Sequence, residues 1–144
     1  MLEYEFADSF YQYLCANQSD KYIGIAREVP FLSRCIDMVL ISKDKKITTI
    51  EFKLKDWSRA LKQAKDHSLG ADKSYICLPN ANTNQRLTNT LIAEGIGLLL
   101  YDYNNSQVIE QIHANENNHN AFPLRMLLAE TTKQVLELNK GNAQ

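Results

Sequence analysis

Cysteine, proline and glycine are scarce in this chain, with 3, 3 and 5 among 144 residues. Cys15, Cys35 and Cys77 are odd in number and far apart, without metal-type spacing. They do not read as a disulfide framework or a zinc cluster. Cys35 and Cys77 fall in apolar strand-like runs, and buried reduced thiols in a cytoplasmic protein are expected. No Gly-rich phosphate loop and no Gly-x-Ser-x-Gly elbow occurs. Neither sign of charge is in excess: the net charge is -1, which excludes a simple sequence-independent coater of nucleic acid. The longest apolar stretch, Ile96 to Tyr101, is far too short to span a bilayer. The chain opens on acidic and aromatic residues, unlike a signal peptide. There is no internal repeat and no interdomain linker.

What is present is ordinary globular material, 44% apolar and 23% charged, sized for one domain over residues 1–144. A helix is expected over 2–16, with Leu2, Phe6, Phe10, Tyr13 and Leu14 on one face. A strand follows from Tyr22 to Val29, closed by Pro30. Asp56 reads as an N-cap for a helix over Trp57 to Leu69. Its apolar stripe is Trp57, Ala60, Leu61, Ala64 and Ser68, and Gly70 stops it. Then come a strand at Ser74 to Leu78, a polar loop at 80–84, and a helix from Gln85 to Glu94 ended by Gly95. A hairpin from Ile96–Tyr103 and Gln107–His113, a polar loop at 115–120 and a helix from Phe122 to Leu138 complete the order. Residues 139–144 are expected to fray. A hairpin followed by strand-helix-strand gives an α/β fold with a mixed sheet flanked by helices.

The chemistry concentrates between residues 35 and 54. Lys46 to Leu54 alternates like a strand, so Glu51 and Lys53 project from one face. The other face is Thr48, Ile50, Phe52 and Leu54. Cys35 to Ile41 is apolar on both faces apart from Asp37, as in a strand buried on both sides. An ionised carboxylate there needs a metal, a cation or several hydrogen bonds. A short turn from Ser42 to Lys45 pairs the two runs as a hairpin, with Asp37 and Glu51 at facing positions. Two carboxylates and an ammonium are the raw material for holding a divalent metal and activating a water. The plain alternatives are an Asp37 bonded to a loop amide and a Glu51/Lys53 ladder supporting a sheet edge.

Ile36-Asp37 followed by Ile50-Glu51-Phe52-Lys53 resembles the core motif of the PD-(D/E)XK nuclease superfamily. That group includes restriction endonucleases, archaeal Holliday-junction resolvases and phage exonucleases. The resemblance covers roughly residues 1–79, and Cys35-Ile36 replaces the proline that names the motif. It implies a restriction-endonuclease-like αβββαβ core, here extended over about 80–138 by a helix, a hairpin and a helix. It implies Mg²⁺, with Mn²⁺ as substitute, held by Asp37 and Glu51 and the Phe52 carbonyl. Lys53 would position or deprotonate the attacking water, or stabilise the phosphate. Resolvase-like members offer a first-helix Glu spaced as Glu3 is from Phe6 and Phe10, which makes Glu3 a candidate further ligand; ordinary charge at a helix N-terminus is the alternative. Leu61-Lys-Gln63-Ala64 resembles their Gln-Ala motif and gives Gln63 a place at the metal's border; a solvated amide is the alternative.

Arg59, Lys62 and Lys65, with Lys55 and Lys73, form a candidate phosphate-contacting edge, and Arg27 and Arg34 a second one. Charged helix faces are more often simply solvated. Tyr4, Tyr11, Tyr13 and Tyr22 read as packing around the first helix more than as stacking platforms. His67 reads as a surface residue, and His113 and His119 have no ligand spacing. The expected function is a metal-dependent nuclease acting on DNA, as a homodimer that cuts both strands. The alternative is a catalytically silent binding subunit of the same fold.

Overall fold

The computed structural model describes residues 1–79, 84–117 and 122–142, without the side chains of 141 and 142. Residues 80–83, 118–121 (with His119) and 143–144 lie outside these, and with them most of the expected polar loops at 80–84 and 115–120.

A six-stranded mixed sheet carries the fold. Its strands are β1 (Tyr22–Phe31), β2 (Arg34–Ser42), β3 (Ile47–Phe52), β4 (Lys73–Pro79), β5 (Gly97–Asp102) and β6 (Gln107–Ile112), adjacent in chain order. β1, β2 and β3 form an antiparallel meander. β3, β4 and β5 run parallel, joined by α2 (Trp57–His67) and α3 (Gln85–Glu94), and β6 returns antiparallel. α1 (Glu3–Asn17) precedes the sheet and α4 (Phe122–Asn142) follows it.

Three apolar clusters hold the layers. α1 packs Phe6, Phe10 and Leu14 on Met38, Leu40, Ile50, Phe52 and Tyr101. α2 and α3 bury Ala60, Ala64, Leu87 and Leu91 against Ile76, Leu78, Leu98 and Leu100. α4 sets Leu128 against Ala26, Val29, Phe31 and Val39. Gly24 permits that approach, since a Cβ there would sit 2.5 Å from the Leu136 side chain. β2 is buried on both faces from Met38 to Ile41, as its double apolar pattern predicts.

Several local expectations are corrected. Pro30 does not close β1 but sits inside it, because β1 is an edge strand where a missing N–H costs no ladder bond. Asp56 adopts a left-handed conformation, φ 55°, and caps no backbone amide; its Oδ1 accepts from Ser58 Oγ instead. α2 ends at His67, and Ser68–Gly70 form a separate 3-10 turn. Cys35 is exposed because it stands at the outer end of the β1–β2 hairpin, and only Cys77 is a buried thiol. Among the described residues no helix is long and apolar enough to cross a membrane.

Candidate active site

The site forms at the carboxyl end of β3. The β2–β3 register, Met38 opposite Ile50 and Val39 opposite Thr49, continues to place Asp37 opposite Glu51. The expected facing pair is therefore present. β3 lies inside the sheet, hydrogen-bonded to β2 and β4, which rules out the edge-ladder reading of Glu51 and Lys53. Glu51 is 1% exposed. Asp37 is half-buried, and its Oδ2 accepts the Phe52 N–H at 2.9 Å, an amide of β3 rather than of a loop.

Burial pushes the Asp37 carboxyl up to about 7, and the neighbouring Glu51 adds to the rise. Burial likewise raises Glu51 to about 7, against the opposing pull of its bonds to Asp37 and of the Lys53 charge. Two carboxyls held together out of water resist double ionisation unless a cation joins them.

α1 delivers Glu3. The Phe6 ring meets Phe52 edge-on at 5.9 Å, and Phe10 meets Phe52 at 5.3 Å. This docks the helix so that Glu3, one turn before Phe6, reaches over the end of β3. Its Oε2 accepts the Leu54 N–H at 3.1 Å and its Oε1 lies 3.4 Å from Lys53 Nζ. Glu5 is turned away, accepting the Leu2 N–H at the helix start. Each Glu3 oxygen thus already carries one contact, which leaves further lone pairs free on a carboxylate.

Glu3, Asp37, Phe52, Lys53 and Gln63 line one cavity of about 190 Å³, together with Tyr4, Ala7, Arg27 and Glu28. Four of the residues expected to do catalysis or hold the metal, Glu3, Asp37, Lys53 and Gln63, thus line it with Phe52, whereas Glu51, 1% exposed, is not among its lining residues and meets the site only beside Asp37. The Gln63 Oε1 is buried and has no hydrogen-bond partner. Leaving a buried carbonyl unsatisfied costs about 1–3 kcal/mol, so this oxygen calls for a partner although the residue as a whole is only half-buried.

Among the described residues, no three His, Cys, Asp or Glu side chains converge as a metal cluster. Mg²⁺ does not require one: it is held by one or two carboxylates, with waters and substrate oxygens filling an octahedron. Asp37, Glu51 and the orphaned Gln63 oxygen are hard oxygen donors of that type.

No family model matches the sequence, and no curated protein matches it significantly. Solved structures do. A Silicibacter pomeroyi protein of unknown function superposes with a TM-score of 0.69 at 15% identity, over 96% of this chain and 89% of that one. A repair endonuclease from Pyrococcus abyssi superposes with a TM-score of 0.52 at 17% identity, over 71% of this chain and 47% of that one. The fold is restriction-endonuclease-like. At these identities the likeness concerns architecture alone.

Two residues of this site were not read from the sequence. His67, expected at the surface, is 1% exposed, and its Nδ1 lies 2.6 Å from Glu51 Oε1. The buried stripe of α2 is Ala60, Ala64 and His67, not a stripe ending at Ser68. Glu28 falls beside Asp37, between the pairs Arg27–Met38 and Val29–Ile36. Its backbone is left-handed, φ 53°, and burial together with Asp37 raises its carboxyl. The tight hairpin, Phe31 paired with Arg34, fixes that register and was the available signal.

The basic residues divide. Lys55, Arg59 and Lys62 are exposed along the start of α2, beside the cavity wall that carries Gln63. Lys65 pairs with Glu94 at 3.4 Å. Lys73 does not join them. It opens β4 opposite Thr48, at the far end of β3 from Lys53, with its Nζ 3.4 Å from His113. Arg27 bonds Asp8 at 3.0 Å with its guanidinium 4.9 Å from the Tyr4 ring centroid. Arg34 is exposed on the far side of His67, beside Asp66 and Leu69.

Proposed function

We propose that the protein is a metal-dependent nuclease that hydrolyses phosphodiester bonds in DNA, acting in the cytoplasm. One observation carries the reading: Asp37 lines the cavity with Lys53 and the unpartnered Gln63 carbonyl, and the buried Glu51 stands next to it, both carboxyls raised. Lys53, the chain's cation beside the pair, is shared with Glu3 and leaves both carboxyls raised.

Asp37, Glu51 and the Phe52 carbonyl would hold Mg²⁺, which when bound supplies charge neutralisation at the phosphate and a more acidic water. The chain's own groups do the rest. The Phe52 N–H fixes Asp37, so one carboxylate oxygen is already oriented before a ligand arrives. Glu3 holds the Lys53 ammonium at the cavity wall, where charge develops on the phosphate in the transition state. Gln63 offers its amide to a water or a phosphate oxygen. Lys55, Arg59 and Lys62 meet the backbone outside the cavity. A two-fold dimer would present two such sites to a duplex; light scattering that gives a monomer at tens of micromolar overturns that part.

The test is a cleavage assay in Mg²⁺ and Mn²⁺ on supercoiled and linear duplex, single-stranded DNA, a four-way junction and RNA. Metal-dependent cutting by the wild type, reduced about 10²–10³-fold or more in Lys53→Ala, is the expected result. A folded wild type that cuts none of them would instead be a silent binding subunit.

A further inference from the structure

We propose that His67 is a positioning residue for this site: it holds Glu51 Oε1 through Nδ1–H and so leaves the other carboxylate oxygen to face Asp37 and a shared cation. The inference rests on the nuclease reading above and adds to it a residue that the motif does not contain.

The geometry is specific. His67 and Glu51 are both 1% exposed, and the contact is 2.6 Å. α2 comes close enough to make it because the two preceding stripe positions are Ala60 and Ala64, both fully buried. Larger side chains there would hold the helix away from β3. On the other side of the ring stands Phe31, edge-on at 6.4 Å.

The ring's second nitrogen decides the direction of the bond. His67 Nε2 is buried and has no partner. If the proton sat on Nε2, a buried N–H donor would be stranded and Glu51 would have to be protonated to donate to Nδ1. With the proton on Nδ1, the ring donates to an ionised Glu51 and only a lone pair is left without a partner. Orphaned N–H groups are rarer than under-used acceptors, so the second arrangement is favoured. It is also the arrangement in which Glu51 can serve a metal, since a ligating carboxylate must be ionised. Partners of this kind orient ligating carboxylates, and losing one typically costs 10–100-fold in metal affinity or activity.

The experiment uses the full chain and two readouts. Mn²⁺ binding is followed by the loss of the free-ion electron paramagnetic resonance signal in wild type, Asp37→Ala, His67→Leu and His67→Asn. Asn places an amide donor near the Nδ1 position. Affinity in His67→Leu should fall about 10–100-fold, while His67→Asn recovers most of it. In parallel, two-bond ¹H–¹⁵N correlation on wild type with Mg²⁺ reads the tautomer without any substitution and should show the Nδ1–H form. An Nε2–H ring, or His67→Leu binding as tightly as wild type, or His67→Asn as weak as His67→Leu, overturns the role of His67 while leaving the site itself standing. Wild type and Asp37→Ala that both fail to bind Mn²⁺ overturn the metal site, and this role with it.

Discussion

Asp72 and Glu51 are buried to the same degree, each 1% exposed, and the fold treats them in opposite ways. Asp72 is matched on every side. Arg125 Nε donates to its Oδ1 at 3.2 Å, Arg125 Nη2 to its Oδ2 at 3.1 Å, and the Ile47 N–H to Oδ2 at 2.6 Å. This forked pair pins α4 to the sheet. Glu51 has a histidine on one side and a second carboxylate on the other. Its nearby Lys53 is drawn toward Glu3. A carboxylate that serves the fold is given its counter-charge by the chain. The one left beside a like charge is where the proposed external cation would bind, and the contrast picks it out without any motif.

The sharpest way to break this contrast is to neutralise one member of each set. Asp37→Asn should lower metal-dependent cleavage by about 10³-fold or more while the apo protein stays at least as stable as wild type. A loss of stability comparable to the loss of activity would make Asp37 a structural residue like Asp72. Next in size is Arg125→Met. It strands the Asp72 carboxylate, so urea unfolding should show a loss of about 3 kcal/mol, the low end for a broken buried pair because the arginine is partly exposed. Cleavage by the folded fraction should hardly change.

These two regions were unequally legible in the sequence. Asp37, Glu51 and Lys53 could be read because a period of two and a short turn fix both their face and their pairing. Glu3 was reached through the resemblance, whose resolvase-like members offer a first-helix Glu spaced as Glu3 is from Phe6 and Phe10, and the packing of those two rings brings it to the end of β3. The Asp72–Arg125 pair left no trace, since 53 residues separate its members and only the packing of α4 joins them. His67 was misplaced for a different reason. Trp57 and Leu61 are only half-buried and drew the helical phase toward Ser68, while the true buried stripe is two alanines and a histidine. When a helix packs closely through alanine, hydrophobicity carries little information about its orientation. Glu28 required the register of the first hairpin, which the sequence held but which the proline at position 30 obscured.

A smaller effect tests whether the Glu51 side is strained. Glu51→Gln removes the like charge, and its amide oxygen can still accept from His67. We expect the metal-free variant to gain about 1–2 kcal/mol at about pH 8, measured by urea unfolding, because a raised carboxyl is a cost of folding once it ionises. Asp72→Asn should go the other way, since it weakens the fork with Arg125. If Glu51→Gln destabilises the apo protein as Asp72→Asn does, the two carboxylates are alike and the contrast fails.

The pH dependence is the finest discriminator and follows from the sign of the shifts. Asp37 and Glu51 are raised in the fold from 3.8 and 4.5 to about 7, so between about pH 4 and pH 7 the folded state binds more protons than the unfolded one. Stability from this pair is therefore fully present below the unfolded values and is lost as pH rises through about 7. A divalent cation binds only the ionised pair, so it should restore at high pH what ionisation removes. Thermal unfolding with and without Mg²⁺ should show little difference near pH 5. By about pH 8 the cation should raise the midpoint by about 3 °C for each kcal/mol of binding. Asp37→Asn should flatten both the pH slope and the Mg²⁺ effect, and Arg125→Met, which adds a pH slope of its own by stranding Asp72, should leave the Mg²⁺ effect intact. A Mg²⁺ effect equally large near pH 5 would place the cation somewhere other than this carboxylate pair.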